Sequence, residues 1–198
     1  MEFGDVVRHR RMVRSFRPDA VPDDVLDRLL DTARRGPSAG FTQGTEFLVL
    51  AGRGETQPYW DVALPPADGN DFPWPGLPEA PVLVLVLSHK EAYLDRYAQP
   101  DKGWTDRGEQ RWPVPYWDVD AGMAAMLLLL AAVNEGLGAL FFGVFKGWDR
   151  IRERFGIPVE YRCVGIVALG FPAGEDRPSG SLSRGRRPAD DVIHRGRW

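Results

Sequence analysis

APVLVLVLSH, residues 80–89, decides the fold. Valine and leucine alternate without a polar interruption, and Ala80-Pro81 and Ser88-His89 bound the run. So short an apolar stretch, half of it β-branched, is the signature of a strand covered on both faces. A strand of that kind needs further strands beside it and helices above and below it.

The flanking sequence supplies them. EFLVLAG (46–52), GALFFGVF (138–145) and YRCVGIVALGF (161–171) read as further strands. Pro22-Asp23-Asp24 opens a helix, with proline in the first turn and acids at the positive end of its dipole. Val25, Leu26, Leu29, Leu30 and Ala33 continue it at helical spacing, and Gly36-Pro37 stops it. Lys90–Ala98 and GWDRIRERFG (147–156) read as helices. AGMAAMLLLLAAV (121–133) sits within a long helix from about Asp118 to Glu135 that ends at Gly136, with Asp118 and Asp120 read as the acids of its start. It is too short to cross a bilayer and is expected to be buried all round. Residues 53–79 are rich in glycine and proline and are expected to be mostly loop. QPDKGWTDRGEQRWPVPYW (99–117) reads as a mobile, lid-like excursion. With no repeat and no linker, the expectation is one α+β domain over 1–198.

The tail, 172–198, is rich in Gly, Pro, Ser and Arg yet carries Val192, Ile193 and Trp198. It either docks on another surface, such as a second subunit, or ends in disorder.

Charge narrows the chemistry. A formal net charge of −3 argues against a nucleic-acid coat. The single cysteine, Cys163, excludes an intrachain disulfide and cysteine-built zinc sites, and His9, His89 and His194 lie far apart. No metal site is expected. The first residues, MEFGDVVRHRR, have no apolar core of a signal peptide, so a cytoplasmic protein without membrane contact is expected.

Against this acidic balance, RHRRMVRSFR (8–17) concentrates Arg8, Arg10, Arg11, Arg14 and Arg17, and Arg184, Arg186 and Arg187 recur in the tail. Guanidinium groups from both ends could converge on a small dianion such as a phosphate monoester. In an extended segment Arg10, Met12 and Arg14 share one side. A solvated basic face and a nucleic-acid contact are the other readings. GPSAGFTQG (36–44) is a small-residue turn with Ser38, Thr42 and Gln43 as polar side chains, suited to close approach of a planar ring.

In this order and spacing, RRMVRSF (10–16), PSAGFTQGTEF (37–47), GLGALFFGVF (136–145), FGIPVEY (155–161), ALGFP (168–172) and RGRRP (184–188) resemble the FMN-dependent nitroreductase family over nearly the whole chain. The resemblance implies a nitroreductase-like fold, a central mixed β-sheet flanked by helices. It also implies an intertwined homodimer with exchanged C-terminal tails and two FMN at the interface. By motif position, Arg10, Arg11, Arg184 and Arg186 would serve the FMN phosphate, with Arg14 nearer the pyrimidine edge. Pro37, Ser38, Ala39 and Gln43 would come from the partner subunit. The backbone of Phe142, Gly143 and Val144 would face flavin N5 and O4.

The sequence departs from the family pattern in places. Met12 replaces a serine, Phe41 a polar residue, and FPWPGLPEAP (72–81) lacks the asparagine and lysine that some members place at the pyrimidine edge. Phe41, Trp104 and Trp112 are the expected substrate pocket, with Tyr59, Trp60, Phe72 and Trp74 of the earlier loop as further aromatics near the flavin. A satellite core that holds a loop in place is the other reading of these aromatics. The implied activity is ping-pong two-electron transfer from NADH or NADPH through FMN to a small electron-poor acceptor, a nitroaromatic or quinone. Flavin-dependent dehydrogenation, oxygen-using flavin chemistry and flavin binding without turnover are the alternatives.

Overall fold

A computed structural model of the chain describes residues 1–64, 72–174, 176 and 178–198. Its sheet holds β1 (Thr45–Ala51), β2 (Val82–His89), β3 (Gly138–Phe142) and β4 (Tyr161–Gly170) in the order β1-β2-β4-β3. All three ladders are antiparallel. The parallel element of the expected mixed sheet is one bridge, Met12 to Ala139.

The alternation in VLVLVL is used on both sides. Val82, Val84 and Val86 enter one core with Val167 and Leu169 of β4, against α2 (Asp23–Ala33) and α5 (Tyr116–Asn134). Leu83, Leu85 and Leu87 enter the other with Ile166 and Ala168, against α3 (Arg53–Ala63) and α6 (Trp148–Arg154). Each fully buried aliphatic side chain contributes about 1.5–3 kcal/mol, so the central ladder anchors both layers. Two short helices, α1 (Phe3–His9) and α4 (Lys90–Tyr97), complete the α-helices among the described residues.

Two expectations need correction. Residues 53–63 form α3 despite Pro58 inside it, because Tyr59 and Trp60 are buried on β3 and β2 residues. The rest of that expected loop includes 65–71, which lie outside the described residues. The long helix starts at Tyr116 and is not buried all round: Val119, Met123 and Met126 form an exposed stripe at helical spacing. Its length and composition would suit a membrane span, but Ala121, Leu128, Leu129 and Ala132 are buried in the first core, where they pack on the sheet and α2. The excursion carries exposed ion pairs to α4 residues: Lys90 with Glu109 at 2.9 Å, Arg107 with Glu91 at 2.7 Å and Arg96 with Asp101 at 2.7 Å.

Candidate functional site

The arginine-bearing segment is extended. After α1 it runs beside β3, with Val13 N–H donating to the Ala139 carbonyl at 3.0 Å, and Phe16 pairs with Pro172. Val13 and Phe16 are buried, Met12 packs against both cores, and Arg10 and Arg14 are half-buried. Arg11 is exposed. The Nη1 of Arg10 is sealed from solvent with no hydrogen-bond partner among the described residues. An unpaired buried guanidinium nitrogen is costly, and an oxyanion satisfies it.

Arg14 is held on three sides. Its Nη1 donates to the Met12 carbonyl at 3.0 Å, its backbone N–H to Asp176 Oδ1 at 2.8 Å, and its guanidinium lies over the Trp74 ring. It lines a cavity of about 550 Å³ with Phe142, Gly143 and Val144, the residues just past and at the end of β3. The walls are aromatic: Tyr59, Trp60, Phe72 and Trp74 join Phe142, whose ring stacks on Trp60 at 5.9 Å. Burial pushes the Tyr59 hydroxyl above the ordinary tyrosine range, so it stays neutral. Among the described residues the lining carries two cations, Arg14 and Lys146, and no carboxylate. Such a wall suits a flat, electron-accepting ring bearing negative charge.

The second group of expected residues sits elsewhere on the same chain. Pro37, Phe41 and Gln43 are exposed, Ser38 and Ala39 half-buried, on a turn packed against α4 and α5. Both polar groups of Ala39 are used internally: its N–H donates to Asp120 Oδ2 at 2.8 Å, and its carbonyl accepts from the Thr42 hydroxyl at 2.6 Å. Ala39 therefore has only packing to give a ligand. Ser38 Oγ accepts from Gln43 N–H at 2.9 Å, leaving its own hydrogen free to donate.

Trp104 and Trp112 come together through Tyr97, whose ring lies 4.9 and 4.4 Å from theirs. The same tyrosine ring fills the space where Gly40 would carry a side chain, at 2.7 Å. The tryptophans are thus a satellite core that abuts the turn bearing Phe41. Trp112 also borders a different cleft, with Lys90, Glu109 and Arg162. Arg184 closes a short helical turn, Gly180–Arg184, and Arg186 follows; both are exposed.

Tyr59, Trp60, Phe72 and Trp74, expected among the pocket aromatics, do line the Arg14 cavity, whereas sequence reasoning missed Phe145 and Lys146. Phe145 is 94 % exposed and its ring folds back over the Cα of Gly143. Asp118 and Asp120, read as acids of a helix start, have other partners: Asp118 takes Ser88 Oγ at 2.8 Å and Arg162 at 3.0 Å, and Asp120 is buried.

With the geometry in place, comparison with known proteins is direct. Residues 7–171 match the nitroreductase family. A protein of Methanothermobacter thermautotrophicus, provisionally named an NADH dehydrogenase/NAD(P)H nitroreductase, is 28 % identical over 87 % of this chain and 78 % of its own length. An iodotyrosine deiodinase of Hydra vulgaris is 28 % identical over 83 % of this chain and 62 % of its own. Among solved structures, an FMN-dependent nitroreductase of Clostridium difficile superposes with a TM-score of 0.69 at 19 % identity, each chain covered to 98 %. That likeness shows the fold.

Proposed function

The chain belongs to the nitroreductase family, and on that premise we propose that it is an FMN-dependent oxidoreductase. It would carry two electrons from NADH or NADPH to a planar, electron-poor acceptor such as a nitroaromatic or a quinone. The observation that carries the reading is the cavity that joins Arg14 to Phe142, Gly143 and Val144, with the unpartnered Arg10 Nη1 on the same segment.

Bound FMN supplies the hydride chemistry; the protein supplies binding, orientation and field. Arg10, with Arg184 and Arg186 of the tail, would hold the phosphate, while Arg11 remains at the surface. Arg14 would stand by the pyrimidine edge, where a fixed cation favours the reduced, more negative ring. The backbone of Gly143 would lie against N5, and the aromatic wall would keep water out and strengthen the cation's effect. The turn Pro37–Gln43 would reach the ring from the partner subunit, with the Ser38 hydroxyl as donor. Phe41 would then face the acceptor, with Trp104 and Trp112 supporting that turn from behind through Tyr97.

A homodimer with exchanged tails completes the proposal. The exposed Val119, Met123 and Met126 of α5, and Leu182, Val192, Ile193 and Trp198 of the tail, are apolar surfaces that need cover. The reduced state of a lone cysteine fits a cytoplasmic setting.

The test is a visible spectrum of the purified protein, then anaerobic addition of NADH and of NADPH. Flavin absorbance that bleaches with either, and returns with a quinone, is the expected result. A colourless protein that takes up no FMN would remove the proposal. Flavin that resists both nicotinamides but turns over with oxygen would move the chain to oxygen-using flavin chemistry.

A further inference from the structure

Asp120 is 5 % exposed and is the one acidic or basic side chain in the buried set among the described residues. Placing a carboxylate there costs free energy that an alanine or leucine would not incur. Its Oδ2 accepts two hydrogen bonds, from Ala39 N–H at 2.8 Å and from the Tyr93 hydroxyl at 2.8 Å. Both partners lead to the same place, the turn after Pro37.

That turn is strained. Gly40, Phe41 and Gln43 have φ of +62°, +54° and +56°. Glycine accepts that region freely, but a phenylalanine there is an outlier that persists only where neighbours over-determine it. One neighbour is Asp120, on Ala39 N–H. Another is Arg96, whose Nε donates to the Gly40 carbonyl at 2.9 Å. The same arginine grips Asp101 through both terminal nitrogens at 2.7 Å, which ties the turn to the start of the excursion. The outcome is a turn that points Ala39 N–H inward and throws Phe41 out, 77 % exposed.

We propose that Asp120 and Arg96 are positioning residues that hold the Ala39–Gly40 pair from opposite ends, so that Ser38 and Phe41 are presented to the flavin and its acceptor. The inference rests on the flavin reading above. Asp120 acts as a hydrogen-bond acceptor, not as a charge. An asparagine oxygen can take both donors, and an alanine neither.

The experiment compares wild type, Asp120→Asn, Asp120→Ala and Arg96→Met. It reads FMN affinity by flavin fluorescence, KM and kcat with a quinone, and amide hydrogen exchange of residues 38–43. Asp120→Asn should stay within about threefold of wild type in FMN affinity and KM, since its oxygen keeps both bonds. Asp120→Ala should weaken FMN by about tenfold or more, since both hydrogen bonds that hold the turn are lost, and raise KM more than it lowers kcat. Arg96→Met should speed exchange at 39–43 and raise KM.

Asp120→Ala with wild-type affinity, KM and exchange would overturn the proposal. So would Asp120→Asn failing as badly as the alanine while still melting cooperatively. Should Asp120→Ala not fold, Arg96→Met decides: unchanged exchange and KM count against the inference. A wild-type protein that binds no FMN defeats the flavin reading instead, and exchange at 38–43 still judges the positioning.

Discussion

The guanidinium carbon of Arg14 stands 5.3 Å from the centroid of the Trp74 ring. The stack holds a cation at the mouth of the aromatic cavity without neutralising it, which a carboxylate partner would do. In the proposed site FPWPGLPEAP, without an asparagine or lysine of its own, would still serve the pyrimidine edge, because Trp74 orients the Arg14 guanidinium. Arg14→Met should lower the two-electron potential of bound flavin by roughly 30 mV for each 1.4 kcal/mol of lost stabilisation. Trp74→Ala should lower it less, the stack being worth about 0.5–2 kcal/mol. Titration against a reference dye measures both, and an Arg14→Met potential equal to wild type contradicts the role.

The phosphate assignment is tested at its two ends. Arg10→Ala combined with Arg184→Ala should strip FMN from the purified protein, each lost charge-assisted contact being worth roughly 1.5–3 kcal/mol. The flavin-to-protein absorbance ratio reads the outcome, and an unchanged ratio defeats the assignment.

Trp198 is 98 % exposed and stacks on His194 at 4.1 Å. Removing residues 189–198 should weaken self-association. Sedimentation at low concentration is the measurement, and a truncated chain that remains as dimeric as the full one counts against tail exchange.

Gly165 lies under a ring: a Cβ there would meet Phe141 Cζ at 2.2 Å. Gly165→Ala should cost about 1–3 kcal/mol through overpacking, lowering the melting temperature by roughly 2–4 °C per kcal/mol. Adding Phe141→Ala should then cost less than the two changes summed. Strict additivity would mean the ring moves aside freely.

Burial pushes the Cys163 thiol up to about 11, above the roughly 8.5 of a free cysteine. The folded state then holds a proton that the unfolded chain releases. Stability from this group is complete below about pH 8.5 and is lost as pH rises toward 11. Tyr161, pushed up to about 12 by its bond to Glu46 and by burial, adds the same sign at higher pH. Urea midpoints between neutral and alkaline pH should fall, and less steeply in Cys163→Ala. Identical slopes would show that Cys163 titrates alike in both states.

How much of this was legible beforehand differs by element. VLVLVL could be read because a period of two is written in residue type, and each face of β2 received one kind of side chain. The arginine segment was legible as a cluster of like charge but not as an extended stretch. Arg10 and Arg14 would share a face on a helix as well, and its buried residues, Val13 and Phe16, are three apart. Helix α3 was not, since Pro58 and its neighbouring glycines read as breakers, while the burial of Tyr59 and Trp60 that outweighs them is tertiary. Nor was the open stripe of α5, because a helix apolar all round does not say which side the sheet will cover. Asp120 looked like an ordinary acid of a helix start; its partners, Ala39 and Tyr93, lie far off in sequence and become visible only once folded.

The bridge from Met12 to Ala139 and the bond from Val13 to the same residue mean that the arginine stretch also seals the outer flank of the sheet. Ligand grip and protection against strand-to-strand clumping are therefore written in the same few residues. Deleting them would uncover a row of unpaired peptide groups on β3, so loss of cofactor by that route would arrive together with insolubility.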